Sequence, residues 1–123
     1  MNNSDLRLYK QRLLTLRGRL RGDVDEMARS VLDRTLAEAR GNMSAMPIHM
    51  ADIGSDNYDQ EFNLDLMESK DRTLREIEVA LERIEDGVYG VCETCEGRIP
   101  RARLNAIPYA VQCVQCASRL EPA

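Results

Sequence analysis

Apolar side chains near the start of the chain follow a helical spacing. Between residues 5 and 40 they recur in steps of three and four residues, which predicts one long amphipathic helix. Ser4 is the expected N-cap of this helix, and Gly41 is its expected C-terminal stop. The stripe consists of Leu6, Tyr9, Leu13, Leu16, Leu20, Val24, Met27, Val31 and Thr35.

Two consecutive steps of four, from residue 16 to 20 and from 20 to 24, shift the phase of the stripe. Gly18 and Gly22 flank this shift. Each glycine costs a helix about 1 kcal/mol relative to alanine. We therefore expect the first helix to be bent or locally soft at this point.

A second helical stretch is predicted from Asn57 to Asp86. Ser55 or Asp56 would cap its start, and Gly87 would follow its end. Its predicted stripe consists of Phe62, Leu66, Leu74, Ile77, Leu81, Ile84 and Val88.

The two predicted helices carry complementary charge. Residues 5–40 contain nine basic and six acidic side chains, whereas residues 57–87 contain four basic and ten acidic ones. Opposite charge and similar length favour an antiparallel pair in which each helix buries the stripe of the other. We predict a mainly α fold with a long antiparallel helical hairpin (coiled coil) over residues 1–87, a tip loop at about 41–56, and a small module over residues 88–123.

Composition excludes several classes of protein. Only 4% of the 123 residues are aromatic and 31% are charged, which disfavours a β-sandwich or barrel. No apolar run reaches the roughly 18–20 residues of a membrane span, and the N-terminus lacks the residue order of a signal peptide. We expect a cytoplasmic protein with no membrane contact. A net charge of −4 disfavours nonspecific DNA binding, which recruits a surplus of Lys and Arg.

The four cysteines form two C-x₂-C pairs, Cys92 with Cys95 and Cys113 with Cys116, separated by 17 residues. This spacing predicts one zinc ion held by four thiolates in a C-terminal zinc finger. Four protein ligands leave no open position for water or substrate, so the zinc would be structural. The alternative is a redox role, in which a C-x-x-C pair cycles between thiol and disulfide. That role usually has a βαβ setting, which this sequence does not predict, and it does not explain a second matched pair.

The residues around the cysteines resemble the zinc finger of the DksA/TraR regulators. The resemblance covers about residues 58–118 and includes residues 60–64 and the predicted helix end at 84–87. It rests mainly on Tyr89-Gly90-Val91-Cys92-Glu93-Thr94-Cys95, on Ile99-Pro100-x-Ala102-Arg103-Leu104-x-Ala106-x-Pro108-x-Ala110, and on Cys113-x-x-Cys116. One position departs from the family pattern, which usually has glycine directly after the second cysteine, where this chain has Glu96.

The resemblance implies a function as well as a fold. It implies that Cys92, Cys95, Cys113 and Cys116 are zinc ligands, and that the protein is a non-enzymatic transcription regulator that binds RNA polymerase. We expect the protein to be a monomer. The coiled-coil tip would enter the secondary channel of the polymerase, without direct recognition of a nucleic-acid sequence.

The acidic residues Asp52, Asp56 and Asp59 are the candidate polymerase-facing residues of the tip. No Lys or Arg occurs from residue 41 to 63, so this segment is negative. The family's tip motif Asp-x-x-Asp-x-Ala is absent, and the nearest string is Asp56-x-x-Asp59-x-Glu61. Helix capping is the alternative role for Asp56, Asp59 and Glu61. The alternative function is a zinc-stabilised interaction module with a partner other than polymerase.

Overall fold

The computed structural model describes the backbone of residues 1–41 and 50–120, and the side chains of residues 1–40 and 61–119. Its helices are α1 (Asn3–Gly41), α2 (Met50–Glu85), α3 (Arg101–Ala106) and α4 (Val114–Leu120). In this part of the chain the β pairing is limited to an isolated bridge between Val91 and Arg98. The mainly α fold class is confirmed. None of the described helices has an apolar stretch long enough to cross a membrane.

The chain divides into two compact units. Unit 1 consists of Met1–Gly18 and Thr73–Ala123, and unit 2 consists of Arg19–Arg72. Both long helices therefore contribute a segment to each unit. The division into domains at residue 87 stays a prediction.

In unit 1, the α1 and α2 segments run antiparallel. Lys10 Nζ lies 3.2 Å from Glu85 Oε1, and Arg17 Nη1 lies 3.1 Å from Glu78 Oε1. The partner's number falls as the number along α1 rises, which is the order of an antiparallel pair. All four side chains are at least partly exposed, so each ion pair contributes at most about 1 kcal/mol to stability.

The core of unit 1 joins the two long helices to the C-terminal module. Leu13 and Ile77 are fully buried and come from the predicted stripes. The Tyr9 and Tyr89 rings pack with their centroids 5.5 Å apart, which brings α1 against the module. The other buried apolar residues include Ala80, Cys92, Ile99, Leu104, Ala110 and Cys116.

In unit 2, the helices meet through a seam that differs from the predicted α2 stripe. The less exposed side chains of α2 in this unit include Asn63, Met67 and Lys70, and Lys70 Nζ lies 3.1 Å from Asp23 Oδ2 of α1. Phe62 and Leu66 are 55% and 37% exposed, so their assignment to the stripe was wrong. The physical reason is that the period of the helix determines which positions of α2 face α1, whether or not the residues there are apolar.

Starting from Leu74, Ile77, Leu81 and Ile84, alternating steps of three and four lead back to residues 70, 67 and 63. The apolar character of Phe62 and Leu66 pointed to the adjacent positions instead. On α1 the stripe is buried or half-buried through Val31, whereas Thr35, its last predicted member, is exposed.

The helix ends also differ in part from the prediction. The Asp5 backbone N–H donates a 2.8 Å hydrogen bond to Asn2 Oδ1, so Asn2 caps α1 and Ser4 lies inside the helix. α2 begins at Met50 rather than Asn57, and residues 50–56 of the predicted tip loop are helical. Ser, Asp and Gly are poor helix formers, but their intrinsic preference is small enough for a continuing helix to override it. Residues 42–49 of that loop lie outside the described residues.

The end of α2 follows the prediction. Gly87 has a φ of +75°, the left-handed conformation that glycine adopts without strain. The Val88 N–H donates to the Arg83 carbonyl at 2.9 Å, and the Gly87 N–H donates to the Ile84 carbonyl at 3.2 Å. This pair of bonds is a Schellman motif with Gly87 at C′, and it turns the chain from α2 into the cysteine module.

Candidate metal centre

The two cysteine pairs lie in two different local structures. Cys92 and Cys95 lie in a tight turn enclosed by the bridge between Val91 and Arg98. Inside this turn the Cys92 N–H donates to the Gly97 carbonyl at 2.7 Å. Cys113 immediately precedes α4, and Cys116 lies in the first turn of that helix. In both pairs, two intervening residues allow a turn to direct both sulfurs to one side.

The structure brings all four thiols together. The Sγ atoms of Cys92, Cys95, Cys113 and Cys116 all lie within 4.8 Å of one another, and the distance from Cys95 Sγ to Cys113 Sγ is 3.8 Å. A disulfide requires about 2.05 Å between its sulfurs, and the four cysteines are free thiols. Tetrahedral zinc with Zn–S bonds of about 2.3 Å places its sulfurs about 3.8 Å apart. The donor set and its spacing therefore fit one zinc ion.

Backbone hydrogen bonds prepare the first cysteine of each pair for metal binding. The Cys95 backbone N–H is the main cause that lowers the pKa of the Cys92 thiol to about 6, against the opposing effect of burial. The Cys116 backbone likewise lowers the pKa of Cys113. Hydrogen bonding to Cys113 and burial raise the pKa of Cys116 to about 12, so the metal-free cluster keeps a proton there. Since zinc binds thiolates, metal binding must release such protons.

Four hydrogen bonds order the region between the turn at residues 92–97, here the first knuckle, and the turn at residues 113–116, here the second knuckle. The buried Tyr89 hydroxyl donates a 2.7 Å bond to the Pro108 carbonyl, and burial raises the pKa of this tyrosine. Arg103 Nε donates to the Gln112 carbonyl at 2.8 Å, and Gln112 Nε2 donates to Thr94 Oγ1 at 3.0 Å. The Glu93 N–H completes this set by donating to the Val111 carbonyl at 2.9 Å. The bonds of Thr94 and Glu93 link the first knuckle to the segment that precedes the second.

A second set of contacts fixes the module to the long helices of unit 1. Tyr9 Oη donates a 2.7 Å hydrogen bond to Asn105 Oδ1, and Arg12 Nη2 donates a 2.9 Å bond to the Asn105 carbonyl. Arg101 Nη2 lies 2.8 Å from Asp5 Oδ2. The Arg83 guanidinium donates to the carbonyls of Val88 and Val91.

The sequence analysis placed Tyr9 in the apolar stripe of α1 but did not predict the hydrogen bond of its hydroxyl. It also did not predict that Asn105 accepts hydrogen bonds from α1. No local pattern marks either of them, because their partners are distant in sequence.

The candidate tip residues Asp52, Asp56 and Asp59 lie in α2, in its first ten residues. Their side chains lie outside the described part of the structure. The structure therefore brings the four cysteines into one site, whereas the function of the three aspartates stays a prediction.

Three comparisons relate the chain to known proteins. Residues 87–122 match the family model of the prokaryotic dksA/traR C4-type zinc finger. An uncharacterized protein of Aquifex aeolicus is 36% identical over 98% of this chain and 79% of its own length. The RNA polymerase-binding transcription factor DksA of Salmonella typhimurium is 30% identical over 98% of this chain and 74% of its own.

The solved structure of transcription factor DksA2 from Pseudomonas aeruginosa is similar over 97% of this chain and 84% of that protein, with a TM-score of 0.76 at 25% identity. The sequence resemblance was strongest around the cysteines, and these similarities extend over both long helices.

Proposed function

Because this chain belongs to the DksA/TraR family, we propose that it is a zinc-binding, non-enzymatic transcription regulator that binds RNA polymerase. The Salmonella relative is an RNA polymerase-binding transcription factor and is similar over nearly the whole chain, which supports polymerase as the partner. The observation that carries the proposal is the convergence of four thiols in the segment that matches the family's C4 zinc finger. Their sulfurs all lie within 4.8 Å of one another, and one pair is 3.8 Å apart, which is the edge length of a ZnS₄ tetrahedron.

We assign the zinc ligands as Cys92, Cys95, Cys113 and Cys116. When bound, zinc supplies four metal–thiolate bonds that cross-link the two knuckles and contribute folding free energy. The residues around it hold the module against the helices: Tyr9 and Arg12 contact Asn105, and Tyr89 closes the segment that precedes the second knuckle. The role of the module is structural because its four protein ligands leave no open coordination position.

The finer part of the proposal concerns the negative segment around the start of α2. We propose that Asp52, Asp56 and Asp59 face the polymerase when this end of the hairpin enters the secondary channel. The absence of Lys and Arg from residues 41–63 supports this role, since a segment of one charge sign is drawn to basic elements or to a bound cation. An acidic chain with a net charge of −4 also supports a mode of action that does not read DNA sequence.

Zinc content, binding and activity can be measured separately on the same preparation. Zinc-loaded protein is titrated with core RNA polymerase, and transcription from a panel of promoters is assayed in parallel. The test variant carries Asp52→Asn, Asp56→Asn and Asp59→Asn. The matched control carries Asp25→Asn, Asp33→Asn and Asp65→Asn, which removes the same charge from exposed helical positions.

The proposal predicts that both variants bind zinc and retain binding to polymerase, and that the test variant alone loses the effect on transcription. Equal loss in both variants would assign the effect to overall charge rather than to the tip. Absence of polymerase binding by the zinc-loaded wild type at micromolar concentration would contradict the proposal. It would favour a zinc-stabilised module with another partner.

A further inference from the structure

One residue of the first knuckle has a backbone conformation that its side chain disfavours. Glu96 has a φ of +62°, and among the described residues it is the one non-glycine residue with a positive φ. A side chain at Cβ crowds the backbone in this left-handed region, so residues other than glycine, asparagine and aspartate rarely occupy it.

The turn fixes Glu96 in this conformation from both sides. The Glu96 N–H donates a 3.0 Å hydrogen bond to the Cys92 carbonyl, and the following carbonyl, that of Gly97, accepts a 2.7 Å bond from the Cys92 N–H. Both bonds involve the backbone of the first cysteine of the knuckle. The left-handed conformation at residue 96 therefore belongs to the same turn that directs Cys92 and Cys95 towards the other two thiols.

The glycine of this turn does not have the left-handed conformation. A Cβ atom built on Gly97 would lie 3.4 Å from Cys95 Sγ, which is van der Waals contact. Gly97 does not have a positive φ. The side chain of Glu96 is exposed, and no hydrogen bond or ion pair of its carboxylate occurs among the described residues. No hydrogen bond or ion pair of the Glu96 side chain in the described part of the chain therefore offsets the cost of a glutamate at this residue.

We propose that Glu96 lowers the zinc affinity of the four-cysteine site, because its left-handed backbone must be formed whenever the first knuckle closes around the metal. The inference rests on the proposed zinc role of the four thiols. Metal binding and closure of such a turn are coupled, so strain that exists only in the closed turn is subtracted from the binding free energy. Removing the strain should tighten zinc binding without any change in the ligands.

Three substitutions at residue 96 separate backbone strain from charge. Glu96→Gly removes the steric cost and should lower the Kd for zinc about three- to tenfold, after allowance for the greater freedom of glycine in the open turn. Glu96→Asn should give an intermediate Kd, because asparagine tolerates the left-handed region better than glutamate does. Glu96→Gln keeps the crowded backbone and removes the charge, so its Kd should stay within about twofold of the wild type.

Glu93→Gly is the matched control. Glu93 is exposed, lies in the same turn, between Cys92 and Cys95, and has no positive φ. The same change of residue type there relieves no strain, so it should leave the Kd unchanged or raise it.

The Kd is measured on the full chain by competition with a chromophoric chelator under reducing conditions, and thermal unfolding is recorded with and without zinc. The proposal is supported if Glu96→Gly tightens zinc binding and Glu96→Gln does not. It is overturned if Glu96→Gly leaves the Kd unchanged, if Glu96→Gln tightens it equally, or if Glu96→Gly stabilises the metal-free and zinc-bound proteins to the same extent. A wild-type chain that binds no zinc would instead contradict the proposed function itself, which keeps the two failures distinguishable.

Discussion

The Tyr9 hydroxyl donates a 2.7 Å hydrogen bond to Asn105 Oδ1, and this bond joins two residues 96 positions apart in the sequence. Tyr9 belongs to α1, and Asn105 belongs to α3 in the cysteine module. Tyr9 is 7% exposed and its ring packs against Tyr89, so the hydroxyl is held at the edge of the core of unit 1. This contact ties the module to the first helix independently of the zinc ligands.

Replacing Tyr9 by phenylalanine should therefore destabilise unit 1 while the ring packing is kept. The lost hydrogen bond is expected to cost about 0.5–1.5 kcal/mol in the free energy of unfolding, measured by urea denaturation of the zinc-loaded protein. Tyr109→Phe is the control, since no hydrogen bond of the Tyr109 hydroxyl occurs among the described residues. Equal stability of the two variants would contradict a structural role for the Tyr9 hydroxyl.

The raised pKa of Tyr89 predicts how the stability of the folded protein depends on pH in alkaline solution. Burial raises the pKa of Tyr89 above its usual value of about 10, and its hydroxyl donates to the Pro108 carbonyl. Above pH 10 the unfolded chain loses this proton while the folded protein keeps it. Stability is therefore fully present below about pH 10 and falls as the pH rises beyond it.

The measurement is urea unfolding of the zinc-loaded protein at pH 8 and pH 10.5. The wild type should lose stability between the two values, and Tyr89→Phe should lose less because it has no proton to release at this position. An identical pH dependence in both proteins would show that other groups cause the loss.

Replacing the two glycines inside α1 by alanine should stabilise the protein. Gly18 and Gly22 lie inside the helix, and a Cβ atom added to either would meet no atom within 4 Å. Gly18→Ala and Gly22→Ala should each raise the free energy of unfolding by about 0.5–1 kcal/mol, because alanine has the higher helix propensity. Gly87→Ala is the control, and it should lower the free energy of unfolding.

An added Cβ at Gly87 also meets no atom within 4 Å, but its φ of +75° makes alanine strained there. Urea denaturation of the three variants checks both signs. A loss of stability in Gly18→Ala and Gly22→Ala would mean that the two glycines have a structural role that free space around them does not reveal.

Burial separates two apolar residues that the sequence pattern treated alike. Leu13 is fully buried in unit 1, whereas Phe62 is 55% exposed in unit 2. Leu13→Ala should destabilise the protein by about 2–5 kcal/mol, and Phe62→Ala should cost less than about 0.5 kcal/mol. Differential scanning calorimetry gives both values. A large loss of stability in Phe62→Ala would mean that Phe62 is packed in the stripe after all.

The contrast between these residues shows what the sequence could predict and what it could not. The α1 stripe, the end of α2 at Gly87 and the grouping of the cysteines depend on local periodicity, a glycine conformation and ligand spacing, and all three can be read from neighbouring residues. The α2 seam contains Asn63 and Lys70, so a rule based on apolar residues alone selects the wrong phase there. The contact of Tyr9 with Asn105 depends on how distant segments pack, which no local pattern encodes.

Removal of the metal should affect the cysteine module most strongly. The binding free energy of a structural zinc is on the order of 10–16 kcal/mol, which is comparable to the whole stability of an ordinary domain. Cys116→Ser should lower the bound zinc well below one ion per chain, whereas Gln115→Ser, at an exposed position inside the same cysteine pair, should keep one zinc.

Because Tyr89 packs against Tyr9 and closes the module through Pro108, loss of zinc should also reduce the near-ultraviolet circular dichroism of the tyrosines. The far-ultraviolet helical signal should fall less, since α1 and α2 hold most of the helical residues. A tyrosine spectrum that is unchanged after chelation would mean that the contacts around Asn105 and Pro108 hold the module without its metal.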